Sequence, residues 1–205
     1  MEQPTMEFVA TEDHLGTSES RWAASSRLRD LPPLAQGIDL PRMRHAESSV
    51  ALGRLGLRSF DVVRLGMPDG SVGHHVRWLS HVIGSMLRPG DLCLAPWWRD
   101  GHPDHEPCGD AALVATKATD ARLLGYLVWA WHWGDPDGFD LPWADCRRFD
   151  FRRRMAARKR WATGAFHSQT RPLSPDYDGA LLPGPLLRRF WRPYVVCVDA
   201  TGGSR

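Results

Sequence analysis

The sequence predicts an α/β fold, a Rossmann-like three-layer sandwich built around a mostly parallel sheet. Short apolar runs alternate with stretches in which apolar residues recur at helical spacing, which is the pattern of successive β-α-β units. The chain has 205 residues, 42% of them hydrophobic, and a mean hydropathy of -0.38, so it can bury an ordinary core. No linker or internal repeat interrupts it, and we therefore expect residues 1–205 to form a single domain.

The first half of the chain alternates strand and helix patterns. We expect a strand at Met6–Thr11, a loop or broken helix at Thr17–Gln36, a helix that follows Asp39 and ends around Gly53 to Gly56, a strand at Asp61–Met67 and a helix at Val72–Leu87. Asp39 is a candidate N-cap with Pro41 in the first turn behind it. In that helix Met43, Ala46 and Val50 lie near one face.

The second half predicts the same alternation. We expect a strand at Leu92–Ala95, a helix through Ala111–Ala118, a strand at Leu123–Trp131, a loop at Gly134–Phe149, a basic helix from about Arg152 to Phe166 and a strand at Tyr194–Val198. The first of these strands is continuously apolar, as a strand buried on both faces should be. Trp129, Trp131 and Trp133 alternate, which predicts one shared face, either in the core or as a wall for a sugar ring.

Charge and cysteine content argue against several function classes. The 26 Lys and Arg residues nearly balance 24 Asp and Glu residues, which gives little reason to expect nucleic acid or a membrane surface as a partner. Neither a membrane-spanning run nor a signal peptide is expected. The four cysteines form no CxxC pair, which favours reduced thiols in a cytoplasmic protein over disulfides or a cysteine zinc site.

A run of basic residues lies late in the chain. Eight of the fourteen residues from Arg147 to Arg160 are Arg or Lys. A solvated helix face is favoured over a nucleic-acid interface, because the rest of the chain balances the charge and no nucleic-acid module is present. Binding of an acidic or phosphate-bearing substrate is a third interpretation of this basic run.

The segment that follows the Leu92–Ala95 strand in sequence has the highest concentration of side chains that could bind a metal ion or a substrate. Within Pro96–His105, two imidazoles three residues apart accompany two carboxylates. Ligands of open α/β sheets bind outside the carboxyl ends of strands, where this segment begins. His102 and His105 could converge on a metal ion or substrate if a helix begins near Asp104. The equally weighted alternative is a polar turn in which Asp104 caps that helix.

This segment, Asp100-Gly101-His102-Pro103-Asp104-His105, resembles the second signature of the PIG-L (LmbE-like) zinc-dependent N-deacetylases. Further resemblances follow in the family's order: Arg44-His45-Ala46-Glu47, Leu65-Gly66-Met67-Pro68-Asp69-Gly70, Tyr126–Trp133, and Lys159 and Ala162 with Ser168-Gln169. The resemblance implies a zinc-dependent hydrolase that removes an N-acetyl group from an amino-sugar glycoside. It implies the family's Rossmann-like fold as well.

The resemblance also implies roles for three residues of the loop. His105 would be a zinc ligand. His102 would polarise the amide carbonyl and stabilise the oxyanion. Asp104 would hold a histidine in orientation.

Four other residues are expected to face the substrate. By the resemblance, Arg44 and Asp69 would bind sugar hydroxyls, for which a guanidinium and a carboxylate offer fixed hydrogen-bond directions. Trp97 and Trp98 are candidates for substrate contact because they lie beside the histidines in sequence. The substrate itself and any association between copies of the chain are left open.

The chain departs from the family at its N-terminal end. The family opens with a strand and an HPDDE motif, which supplies two further zinc ligands and the catalytic base, and Met6–Thr11 looks like the family's second strand. The expected zinc site is therefore incomplete. The chain is a truncation of a longer protein, a degenerate member, or a protein whose site is completed by Glu12, Asp13 or His14. The alternative function is a non-catalytic carbohydrate-binding or interaction protein on the same fold.

Overall fold

A computed structural model describes residues 5–12, 40–57, 60–135, 141–172, 180 and 182–201. The chain divides into two compact units. The first comprises the chain up to Pro68 together with Phe151–Pro193, and the second comprises Asp69–Asp150 together with the C-terminal segment from Tyr194. Both units combine helices with β-strands, so the α/β class expected from the sequence is confirmed. The predictions for Thr17–Gln36 and for Asp39 lie outside the described residues.

In the residues that the structure describes, the first unit contains a pair of parallel strands and four helices. Its elements are β1 (Thr5–Glu12), α1 (Leu40–Leu55), β2 (Phe60–Pro68), α5 (Arg153–Thr163), α6 (His167–Thr170) and α7 (Gly184–Phe190). The strand register places Thr5 opposite Phe60 and Glu12 opposite Pro68. Both predicted strands of this half and the helix between them are confirmed, whereas α7 was not predicted.

Small residues hold α1 against α5. Ala51, Ala162 and Ala165 form a buried cluster, since alanine lets two helix backbones approach closely. The face of α1 that carries Met43 and Val50 is exposed instead. The three residues that the sequence placed on one face are therefore not the packing face, which contains Glu47, Ala51 and Leu52 instead.

The second unit is built on a four-stranded sheet in the order β3-β4-β6-β5. Its strands are β3 (Leu92–Pro96), β4 (Arg122–Tyr126), β5 (Cys146–Asp150) and β6 (Tyr194–Asp199). Its helices are α2 (Val76–Met86), preceded by a 3-10 turn at Val72–His75, α3 (His105–Thr119) and α4 (Ala130–Trp133). β3 and β4 run parallel, and β6 is antiparallel to both of its neighbours, so this sheet mixes the two kinds of pairing.

The structure corrects three expectations for this unit. β3, an edge strand of the four, is buried on one face only: Leu92 and Leu94 are 54% and 59% exposed, while Cys93 and Ala95 are buried. The strand expected to reach Trp131 ends at Tyr126, and the chain then turns into α4. The tryptophans there consequently do not share a strand face. β5 lies within the segment expected to be a loop.

Two further expectations concern the state of the cysteines and the presence of a membrane-spanning helix. All four cysteines are free thiols, as predicted. Burial raises the pKa of the Cys93 thiol to about 11 and, together with the charge of Asp104, that of the Cys108 thiol to about 12. None of the helices in the described ranges is both long and apolar enough to cross a membrane.

Gly109 in α3 allows the loop behind β3 to lie directly against the helix. A Cβ atom on Gly109 would come within 2.7 Å of the Pro96 carbonyl oxygen and the Trp98 Cα atom. The contacts are with backbone, which cannot swing aside as a flexible side chain can. Any side chain at position 109 must therefore displace the loop that carries the two histidines.

We expect Gly109→Ala to lower the free energy of unfolding by about 1–3 kcal/mol, measured by chemical denaturation, because it overpacks this contact. Gly53→Ala is the matched control. Gly53 lies in α1 with open space around it, and alanine there should raise the free energy of unfolding by about 0.4–1 kcal/mol. Equal stability of Gly109→Ala and the wild type would show that the loop does not pack against α3 in this way.

Candidate active site

The loop between β3 and α3 brings two histidine rings together. The rings of His102 and His105 stack with their centroids 4.0 Å apart and their planes at 16°. The indole of Trp129 meets the His102 ring edge-on, at a centroid distance of 5.7 Å. The structure thus brings the two rings into contact, and their convergence on a metal ion or substrate stays a prediction.

A buried carboxylate lies beside this pair. Asp100 is fully buried, and its two oxygens accept hydrogen bonds from the backbone N–H groups of Val128, Trp129 and Ala130 at 3.0, 2.7 and 2.9 Å. Its Oδ2 atom also lies 2.6 Å from Nδ1 of His105. Four nitrogens therefore surround one carboxylate, and three of them are backbone amides that can only donate.

This arrangement fixes the tautomer of His105. An ionised carboxylate can only accept hydrogen bonds, so Nδ1 of His105 carries the proton that points at Asp100. In the neutral ring the lone pair then resides on Nε2, the atom that a metal ion would use. A carboxylate that holds a histidine in this way is the usual support of a metal-ligating imidazole.

His102 has the opposite tautomer. Its Nδ1 atom accepts a hydrogen bond from the backbone N–H of Asp104 at 3.1 Å, so the proton of the neutral ring resides on Nε2. Burial lowers the pKa of His102 to about 4, and the charge of His105 adds to this effect, while Asp104 and Asp100 oppose it. The ring is consequently a neutral hydrogen-bond donor near pH 7.

The side chain of Asp104 holds a neighbouring turn. Its carboxylate accepts the backbone N–H groups of Gly70 and Val72, at 2.7 and 3.2 Å, and makes no cap to α3. Asp100 is the carboxylate in contact with His105, and the orienting role expected of Asp104 stays a prediction. Asp69 directly precedes Gly70 in sequence. The Asp104 carboxylate therefore holds the turn that contains Asp69 against the loop that contains the two histidines.

Gly101 gives this loop its shape. It has a φ of +83°, and a Cβ atom there would lie 2.7 Å from Nε1 of Trp133. That indole nitrogen donates to the carbonyl oxygen of Asp100 at 2.8 Å, and the Gly101 N–H donates to Oε1 of Glu106 at 3.0 Å. A left-handed glycine is thus needed for the backbone to turn between the carboxylate and the histidines.

The two tryptophans before the loop differ in how deeply they are buried. Trp97 is 3% exposed and packs in a core cluster with Leu127, Leu141 and other buried residues, so the structure places it as a core residue, and its contact with substrate stays a prediction. Trp98 is half-buried and packs against the same cluster. Its contact with substrate remains a prediction.

Arg44 belongs to the first unit. It lies half-buried on α1, one turn before Glu47. The Glu47 carboxylate accepts hydrogen bonds from the backbone N–H and the hydroxyl of Ser168, at 2.8 and 2.7 Å. Two motifs that the sequence analysis noted separately, one around Arg44 and one around Ser168, are therefore joined by a buried carboxylate.

A complete metal site is not assembled by the residues that the structure describes. Within those ranges no group of three or more His, Cys, Asp and Glu side chains is placed to hold a metal ion. His105 fits a metal through its Nε2 atom, but it supplies one ligand only. Asp13 and His14 lie outside the described residues, and only the backbone of Glu12 is described.

Comparison with known proteins identifies a shared fold. No protein-family model and no curated protein sequence matches the chain. Among solved structures it is similar to the crystal structure of Dbv21, described as the deacetylase of the antimicrobial A40926 pseudoaglycone, with a TM-score of 0.59 and 20% sequence identity. The match covers 96% of this chain and 84% of Dbv21. The chain therefore has the mixed α/β fold of a deacetylase.

We expect Asp100→Asn to lower the free energy of unfolding by about 1–3 kcal/mol, because an amide cannot accept from all four surrounding N–H groups and leaves at least one buried donor unpaired. The control is Asp110→Asn on the exposed side of α3, which should change stability by less than about 0.5 kcal/mol. Denaturant titrations of the two variants test this. Equal stability of both variants would contradict the buried role of Asp100.

Proposed function

We propose that the protein is a zinc-dependent deacetylase of the PIG-L type that removes the N-acetyl group from an amino-sugar glycoside. The observation that carries the proposal is the Asp100–His105 pair, which leaves the Nε2 lone pair of His105 for a metal ion. The fold shared with a deacetylase supports it. So does the resemblance of the segment Asp100–His105 to the family signature.

His102 is proposed to stabilise the negative charge that develops on the acyl oxygen during hydrolysis. Its Nε2 atom carries a proton in the neutral ring, and its lowered pKa keeps the ring neutral throughout the physiological range. A fixed neutral donor in a partly buried site favours the oxyanion over the starting carbonyl. The stacked ring of His105 and the edge of Trp129 hold His102 in position.

Zinc, when bound at His105, would supply Lewis-acid activation of water and of the acyl group. A catalytic zinc ion normally takes three protein ligands. The described residues supply one, so the proposal requires the others to come from outside those residues. The contribution of the described residues is to orient His105 and to place a neutral donor beside it.

Asp69 and Arg44 are each proposed, from the family resemblance, to bind sugar hydroxyls. Asp69 lies in a turn that the Asp104 carboxylate holds through Gly70, so its position is fixed before substrate arrives. Arg44 projects from a helix that Glu47 ties to Ser168. Carboxylate and guanidinium groups held in this way can select hydroxyls by direction as well as by charge.

The second candidate is a non-catalytic carbohydrate-binding protein on the same fold. The incomplete ligand set among the described residues favours it. This alternative predicts sugar binding that depends on Arg44 and Asp69 and is indifferent to a chelator. It also predicts no release of acetate.

Acetate release from N-acetylglucosaminyl glycosides, with zinc content measured on the same samples, tests the proposal. We expect about one zinc ion per chain and measurable turnover in the wild type. His105→Ala should lose both, whereas His102→Ala should keep the metal and lose about 10²–10³-fold in kcat. His81→Ala, at an exposed position of α2, is the control that should change neither.

The two candidates give different results in this assay. Sugar binding that survives a chelator, without acetate release, would establish the binding protein and reject the enzyme. Turnover that persists in His105→Ala would show that His105 is not a ligand of the catalytic metal. Equal zinc content in the wild type and in His105→Ala would also show that His105 is not a ligand of the catalytic metal.

A further inference from the structure

We propose that the outer face of α5 docks the protein on a membrane surface of anionic lipid head groups. This surface, here called the arginine face, consists of Arg152, Arg153, Arg154, Arg160 and Trp161, all of them exposed. It belongs to the first unit and is independent of the histidine loop and of the activity proposed for it.

The positive charge of the protein is concentrated around this face. The chain carries a net charge of only +2, yet residues 151–193 contain ten Lys and Arg residues against two Asp residues. α5 itself has five basic residues and no acidic one. Charges clustered within one Debye length of each other act together on an anionic surface, whereas the same charges spread over the molecule would not.

The face also exposes one large apolar side chain. Trp161 is 61% exposed. An indole among arginines is the combination that amphipathic helices use at the boundary between head groups and acyl chains. The indole is supported from within, since the Arg54 guanidinium lies 5.3 Å from its ring centroid and donates to the Trp161 carbonyl oxygen at 2.9 Å.

The packing of α5 leaves this face outward. The helix is held to α1 by Ala162 and Ala51 on its opposite side, and Lys159 and Arg158 on the flanks contact Phe151 and the Leu55 carbonyl oxygen. Arg160 lies over the Trp191 ring, 4.6 Å from its centroid. Arg152, Arg153 and Arg154 lie exposed at the start of α5, and their charges can be altered without disturbing the contact between Ala51 and Ala162.

Lipid is favoured over nucleic acid as the occupant. Single-stranded nucleic acids bind along positively charged grooves with stacking platforms, whereas the arginine face is the outer side of one helix. Double-stranded DNA takes its contacts from phosphates and base edges and has no general place for an exposed indole. A bilayer surface accepts both the arginines and the indole at once.

Co-sedimentation of the full chain with lipid vesicles tests this proposal. We expect binding to vesicles of equal parts phosphatidylglycerol and phosphatidylcholine, and none to phosphatidylcholine alone. Arg152→Glu, Arg153→Glu and Arg154→Glu combined should lower the partition coefficient by at least about a hundredfold. Acidic residues at this helix N-terminus are also favourable for folding, so loss of structure does not confound the result.

Two further variants test whether vesicle binding depends on the arginine face in particular or on positive charge anywhere on the protein. Arg77→Glu, Arg88→Glu and Lys117→Glu combined reverse three exposed charges of the second unit and should leave vesicle binding within a few-fold of the wild type. Trp161→Ala should weaken binding several-fold without altering net charge. Equal losses in the two triple variants would overturn the proposal, as would an absence of binding at low salt.

Competition with DNA decides between the two anionic partners. Single- and double-stranded oligonucleotides are added to vesicle-bound protein at matched phosphate concentration and salt. Protein that stays on the vesicles supports the lipid surface. Protein that leaves the vesicles for either oligonucleotide overturns the proposal in favour of a nucleic-acid interface.

Discussion

The buried carboxylate of Asp100 is the constraint on which the second unit and its site depend. A carboxylate without solvent is strongly unfavourable unless donors surround it, and here three backbone amides and one imidazole do so. The amides belong to the segment that turns from β4 into α4. The imidazole belongs to His105. The Asp100 carboxylate therefore binds the backbone amides between β4 and α4, and it also sets the tautomer of His105, the proposed metal ligand.

The elements that the sequence predicted correctly are those whose signal is local. Apolar runs identify β1, β2 and β6, and helical spacing identifies α2 and α3, because each signal lies within the element. The stretch Trp129–Trp133 alternates as a strand would, but it folds as α4 because Asp100, about thirty residues earlier, accepts its first amides. No pattern within the stretch contains that information.

The features of the candidate site likewise divide into those that have a local signal in the sequence and those that do not. His102 and His105 are close because they are three positions apart where the chain enters a helix. The contact of Asp100 with His105 was not predictable, since spacing does not show which way a loop carboxylate points. The burial of Trp97 was not predictable either: Trp97 continues the inward period of Cys93 and Ala95, but a continuously apolar strand does not show which of its faces is inward.

The tautomer of His105 in the metal-free protein tests the central claim most directly. Nitrogen-detected or long-range nitrogen–proton NMR spectra at neutral pH distinguish the two ring nitrogens, with a His105→Gln spectrum providing the assignment. We predict a protonated Nδ1 and an unprotonated Nε2 for the neutral ring, as the 2.6 Å contact with Asp100 requires. A proton on Nε2, or an even mixture of the two tautomers, would contradict the account.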